Sequence, residues 1–114
     1  MDQSYPVFKH SSFEGLIGVA QEDTTPPVGI YSRNWGASKY DVAEGIHLPL
    51  MLTCATFQSV NKEKPLILIS ADLGWWRNYG EELSFRSELL QSLKVEHGQL
   101  MFCLSHTHAG PVLS

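Results

Sequence analysis

The sequence predicts an α/β fold built on a mixed β-sheet, and three observations carry that expectation. The run Leu66-Ile67-Leu68-Ile69-Ser70-Ala71 is apolar and β-branched, as a buried strand requires. A stripe of Leu83, Leu89, Leu90 and Leu93 follows at helical spacing, and a second apolar run, Leu100 to Leu104, comes after it. A polar link, Asn61-Lys62-Glu63-Lys64-Pro65, joins Leu66 to an earlier apolar run and is short enough for an antiparallel hairpin.

Taken in order, residues 1–14 read as an irregular lead-in. A first strand is predicted at about 15–20, where Gly15 and Gly18 signal a close backbone neighbour. It stops before Pro26-Pro27, which cannot donate to a ladder. Residues 28–45 hold no sustained period of 2 or 3.6. Their glycines and aromatics, Gly29 through Tyr40, suit a functional loop better than disorder. A second strand is predicted at about 46–58, apolar enough to be covered on both faces. The third follows at 66–71, a helix at about 79–95, and a fourth strand at about 99–104. Glu81 and Glu82 sit at the positive end of that helix and Lys94 at its negative end, with His97-Gly98 as the stop. Strand, helix and strand make a βαβ unit, whose right-handed crossover would bring Asp72 and His106 to the carboxyl edge of the sheet.

The 114 residues correspond to one domain or a piece of one, and 43% hydrophobic with 18% charged residues is a globular balance. A net charge of −4, with no basic run beyond the interrupted Lys62-Glu63-Lys64, argues against a nucleic-acid partner. No apolar stretch is long enough to span a bilayer, and the first residues show no signal-peptide pattern. Cys54 and Cys103 lie inside apolar runs and read as inert thiols, with a disulfide between neighbouring strands as the lesser alternative.

The chemistry-bearing stretch is Ser105-His106-Thr107-His108-Ala109-Gly110-Pro111. In extended chain, positions i and i+2 share a face, so His106 and His108 would aim into one volume where neutral imidazoles can bind a transition metal. The plain alternative is a pair of turn histidines bonded to backbone and water. Asp72, just past the third strand, suits a metal ligand, a partner that orients an imidazole, or a local turn cap. His47 reads as a structural hydrogen-bonder, and His10 and His97 get no role. Trp75-Trp76 form either a packing surface or the wall of an apolar pocket. Arg33-Asn34-Trp35-Gly36 presents donors suited to an oxyanion, or else packs as a compact loop.

The order of these motifs resembles the N-terminal part of the catalytic domain of neutral/alkaline non-lysosomal ceramidases and their bacterial relatives. It runs from Gly15-Leu16-Ile17-Gly18-Val19-Ala20 and Pro26-Pro27-Val28-Gly29, through Arg33-Asn34-Trp35-Gly36 and Gly45-Ile46-His47-Leu48-Pro49-Leu50. Ser70-Ala71-Asp72-Leu73-Gly74 and the His-Thr-His-Ala-Gly-Pro block complete it. The resemblance implies a Zn2+-dependent amidohydrolase that cleaves the N-acyl amide of ceramide, or a related lipid, to sphingoid base and fatty acid. It implies His106 as a zinc ligand, His108 beside the substrate amide, and Gly36 lining the same pocket through its backbone. It also implies that the other zinc ligands and the catalytic serine lie downstream, in the remainder of the catalytic domain. The expectation is therefore that residues 1–114 form an incomplete N-terminal segment, inactive and weak in zinc by itself. Such enzymes are secreted, periplasmic or cell-surface. Competing readings are another His-x-His metallohydrolase, metallo-β-lactamase-like or amidohydrolase-like, and a non-catalytic binding module of the same fold. The first expects Asp-His where Gly110-Pro111 stand.

Overall fold

A computed structural model describes residues 9–61 and 64–113; the predicted lead-in over residues 1–8 and the Lys62-Glu63 part of the polar link lie outside them. The elements are β1 (Gly15–Asp23), β2 (Met51–Ser59), β3 (Leu66–Ala71), α1 (Tyr79–Leu93) and β4 (Leu100–Leu104). They form a four-stranded mixed sheet in the order β1-β2-β3-β4. β1 pairs antiparallel with β2, β2 antiparallel with β3, and β3 parallel with β4, which follows α1 in the chain.

Strand alternation gives the sheet two different faces. The register puts Leu52, Cys54, Ile67, Ile69, Ala71, Leu100 and Phe102 on one side. There Ile67, Ile69 and Leu100 are buried, with Leu89, Leu90 and Val95 packed over them. The opposite side carries Ile17, Val19, Ala55, Phe57, Leu66, Leu68, Met101 and Cys103. Nothing among the described residues covers it, and Ile17, Val19, Leu66 and Met101 are each more than half exposed, at 64%, 73%, 57% and 62%. The expectation that β2 is covered on both faces is therefore corrected. The same register separates the cysteines: Cys54 and Cys103 lie two strands apart on opposite faces, and both are free thiols.

Several boundaries differ from the predicted ones for physical reasons. β1 continues to Asp23 because Glu22 and Asp23 keep pairing with Leu52 and Met51. β2 starts at Met51, not at residue 46; Pro49 has no N–H for a ladder, and residues 46–50 wall a cavity instead. α1 ends at Leu93 because Lys94 turns left-handed at φ 54°, which directs Val95 into the core. His97–Gln99 is a short 3-10 turn rather than the helix stop. Gln99 accepts the Glu96 N–H (3.0 Å) and donates to the Pro65 carbonyl (3.0 Å), pinning this turn to the entry of β3. At its other end, α1 is capped by Asn78, whose side chain accepts the Glu81 N–H at 3.0 Å. Arg86 pairs with Glu82 at 2.5 Å and reaches the Leu100 carbonyl at 3.4 Å, tying helix to β4.

Candidate functional site

The carboxyl ends of β3 and β4 lie side by side, because Ala71 is level with Leu104 and the Ser105 N–H donates to the Ala71 carbonyl at 3.0 Å. Asp72 and the histidine block leave the sheet at this edge. His106 does not continue the strand; its φ is 60°, in the left-handed region that non-glycine residues seldom adopt. Strand alternation is thus not what brings the imidazoles together. A turn does so, closed by the Ala109 N–H on the Thr107 hydroxyl at 3.2 Å, and it leaves the ring centres 5.2 Å apart.

Two tryptophans frame the pair. Trp75 lies 5.2 Å from His106 and 5.4 Å from His108, and Trp35 meets His108 edge-on at 4.6 Å. The adjacent Trp76 turns the other way, onto Phe85 at 5.2 Å and Phe102 at 6.4 Å under the helix. The two alternatives for Trp75-Trp76 are divided between them: Trp76 packs, and Trp75 walls the histidine site.

Trp35 arrives on a hairpin that the sequence presents as a loop. Tyr31 and Val42 form an antiparallel bridge, flanked by Gly29 N–H to Ala43 carbonyl at 2.8 Å and Ser32 N–H to Asp41 carbonyl at 2.8 Å. Arg33 pairs with Asp41 across it at 2.5 Å. The hairpin docks on the histidine turn through the Asn34 side-chain amide, which donates to the Gly110 carbonyl at 3.5 Å. Gly74 makes room for this contact: a Cβ there would stand 3.2 Å from both Asn34 Nδ2 and the Thr107 carbonyl oxygen. Gly36, next to Trp35, is exposed with open space around it and lines none of the cavities described below.

Asp72 is engaged locally. Its Oδ2 accepts the Met51 N–H at 2.9 Å, and its own N–H donates to the Met51 carbonyl at 2.9 Å, fixing the start of β2. A matching staple lies opposite, where the Thr25 hydroxyl donates to Asp23 at 2.5 Å and accepts the Leu50 N–H at 2.8 Å. That hydroxyl, ahead of the Thr25 N–H, holds the Asp23 carboxyl below its ordinary pKa.

These staples wall a cavity of about 410 Å3. Its lining is largely apolar, including Val28, Ile30, Ile46, Leu48 and Leu50, and the histidine turn closes it through Thr107, Ala109 and Pro111. His47, assigned only a structural role by the sequence, also lines it. Neither His106 nor His108 does; their rings lie beside Trp75, which borders a second cavity of about 180 Å3 with Arg33, Asn34 and Arg77. Arg77 escaped the sequence reading, although its place between a strand end and a helix cap was a usable signal.

For a metal, the fit is partial. Two imidazoles on one tetrahedral zinc have ring centres roughly 5 Å apart, given Zn–N distances of about 2.0–2.1 Å, and this pair meets that spacing. Among the described residues, however, no group of three or more His, Cys, Asp or Glu side chains is placed to hold an ion. Among them, too, no helix is long and apolar enough to cross a membrane. The chain matches no protein-family model, and no curated protein or solved structure is significantly similar to it.

Proposed function

We propose that this chain forms the N-terminal part of the catalytic domain of a zinc-dependent amide hydrolase of the neutral ceramidase type, acting on the N-acyl bond of ceramide or a related lipid amide. The observation that carries the reading is the convergence of His106 and His108 at a sheet edge, with His106 held in a strained left-handed conformation. Such strain persists where surrounding contacts impose it, and it gathers at functional sites. The neighbouring apolar cavity supports the lipid half of the reading, since its volume and lining suit an acyl chain.

In this reading His106 holds the zinc, which when bound polarises the amide carbonyl or makes a water nucleophilic at neutral pH. His108 stands beside the amide, where a ring N–H can donate to the oxyanion. Trp35 and Trp75 fix the orientation of its ring. Asp72 acts from behind by holding the start of β2 against the turn. β3, α1 and β4 form a right-handed βαβ unit that sets this edge. The remaining ligands and the nucleophile belong to a further part of the domain, which also covers the open sheet face.

Zinc content tests the assignment. The protein with its complete domain should hold about one zinc per chain, and His106→Ala should reduce that to near zero. Unchanged stoichiometry in His106→Ala would remove His106 from the metal site. Residues 1–114 by themselves should release no fatty acid from ceramide; zinc-dependent release by them would overturn the division of the site.

A further inference from the structure

The cavity of about 180 Å3 beside Trp75 has a polarity that a purely apolar lipid would not match. Two guanidinium groups line it, from Arg33 and Arg77. Arg33 spends its Nε–H on Asp41 and keeps its terminal nitrogens, and Arg77 has no partner among the described residues. Asn34 lines the same cavity, and its Oδ1 is buried and accepts no hydrogen bond. A buried acceptor without a donor is costly, so a donor from outside is expected to meet it. The site therefore calls for a negative charge and an N–H or O–H close together.

From this we infer that the amine half of the substrate carries an anion, as in an N-acyl amino acid. The inference rests on the amide-hydrolase reading above. The carboxylate meets Arg33 and Arg77, and the amide N–H meets Asn34 Oδ1. The carbonyl carbon then lies past Trp75, the residue that walls both this cavity and the two imidazoles. Hydrolysis joins the oxygen of water to the acyl carbon and breaks the C–N bond. The departing nitrogen takes the proton, leaving a fatty acid and a free amino acid. Bidentate recognition of a planar carboxylate suits arginine better than lysine.

The test measures binding and turnover separately on the purified protein. Binding of N-acetylglycine, neutral N-acetylethanolamine and acetate is followed by indole and imidazole NMR shifts. N-acetylglycine should bind best. Arg77→Gln should weaken it by about ten- to a hundredfold and Arg77→Lys by less, while N-acetylethanolamine is unaffected by either. Asn34→Ala should weaken N-acetylglycine but not acetate, which has no N–H to offer. Equal binding of the neutral amide, or an Arg77→Gln variant with unchanged N-acetylglycine affinity, would overturn the inference. Turnover is read on the complete domain, not on residues 1–114 alone, with N-lauroylglycine and ceramide. Arg77-dependent binding of N-acetylglycine without cleavage of either amide keeps the anion site and removes the hydrolase reading. Cleavage of ceramide with no Arg77-dependent binding removes the anion site alone.

Discussion

At His106 the backbone conformation and the side chain pull in different directions. A φ of 60° crowds a Cβ against the following carbonyl and costs about 1–2 kcal/mol, which glycine would not incur. His106→Gly should therefore raise the stability of the fold by about 1 kcal/mol in urea titration while removing the imidazole that the proposed function places on zinc. His106→Ala should lose zinc without that gain. A His106→Gly protein less stable than His106→Ala would show that the left-handed turn carries no strain. None of this was visible in the string His-Thr-His. The spacing marked a candidate pair, but it does not say which residue turns left-handed, since histidine enters that region less often than glycine yet more often than most residues. The tryptophans are similar: Trp75 and Trp76 are chemically identical neighbours, and only the path of the chain after Ala71 sends one to the histidines and the other to Phe85.

Among the elements, β1 shows what a sequence can state. Gly15 and Gly18 signalled a close neighbour, and a Cβ at Gly15 would stand 2.2 Å from the Gln58 carbonyl oxygen, a backbone atom that cannot move aside cheaply. Gly15→Ala should lower stability by about 1–3 kcal/mol, as overpacking does, and should weaken protection of the β1–β2 amides in hydrogen exchange. Unchanged protection would mean that this end of the ladder contributes little. The β3 run and the leucine stripe of α1 were legible for the same reason: a period enforced by burial is written in residue types. The hairpin from Gly29 to Ala43 was not, since it rests on one bridge and a few backbone bonds with no alternating apolar face. Residues 46–50 misled in the opposite sense, because an apolar run lining a cavity looks like an apolar run inside a sheet.

For the whole molecule, the accessible surface is 8970 Å2. A monomer of 12.8 kDa is expected to show roughly 6,300 Å2, so the chain leaves an excess on the order of 2,700 Å2. The sheet face without a helix contributes to it, an apolar surface of Ile17, Val19, Leu66, Leu68 and Met101, with Ala55 and Phe57 of β2 between them, across all four strands. Large apolar side chains exposed together on one face mark a surface made for contact. The edge strand β1 adds to the demand, because only Gly15 of its residues is even half-buried. An uncovered face this apolar fits a sheet whose second layer is supplied elsewhere in the domain, and the proposed function draws its missing ligands from that same layer. Residues 1–114 produced alone should then bind a hydrophobic dye and scatter light as an assembly larger than one chain. Val19→Lys with Leu68→Lys should shift the scattering mass toward 12.8 kDa and reduce dye binding, because both side chains project from the open face and neither belongs to the core beneath α1. Under the proposed function, the same double substitution in the complete domain should be destabilising instead, since a second layer would there bury two ammonium groups. Equal tolerance in both contexts would mean that nothing packs on this face.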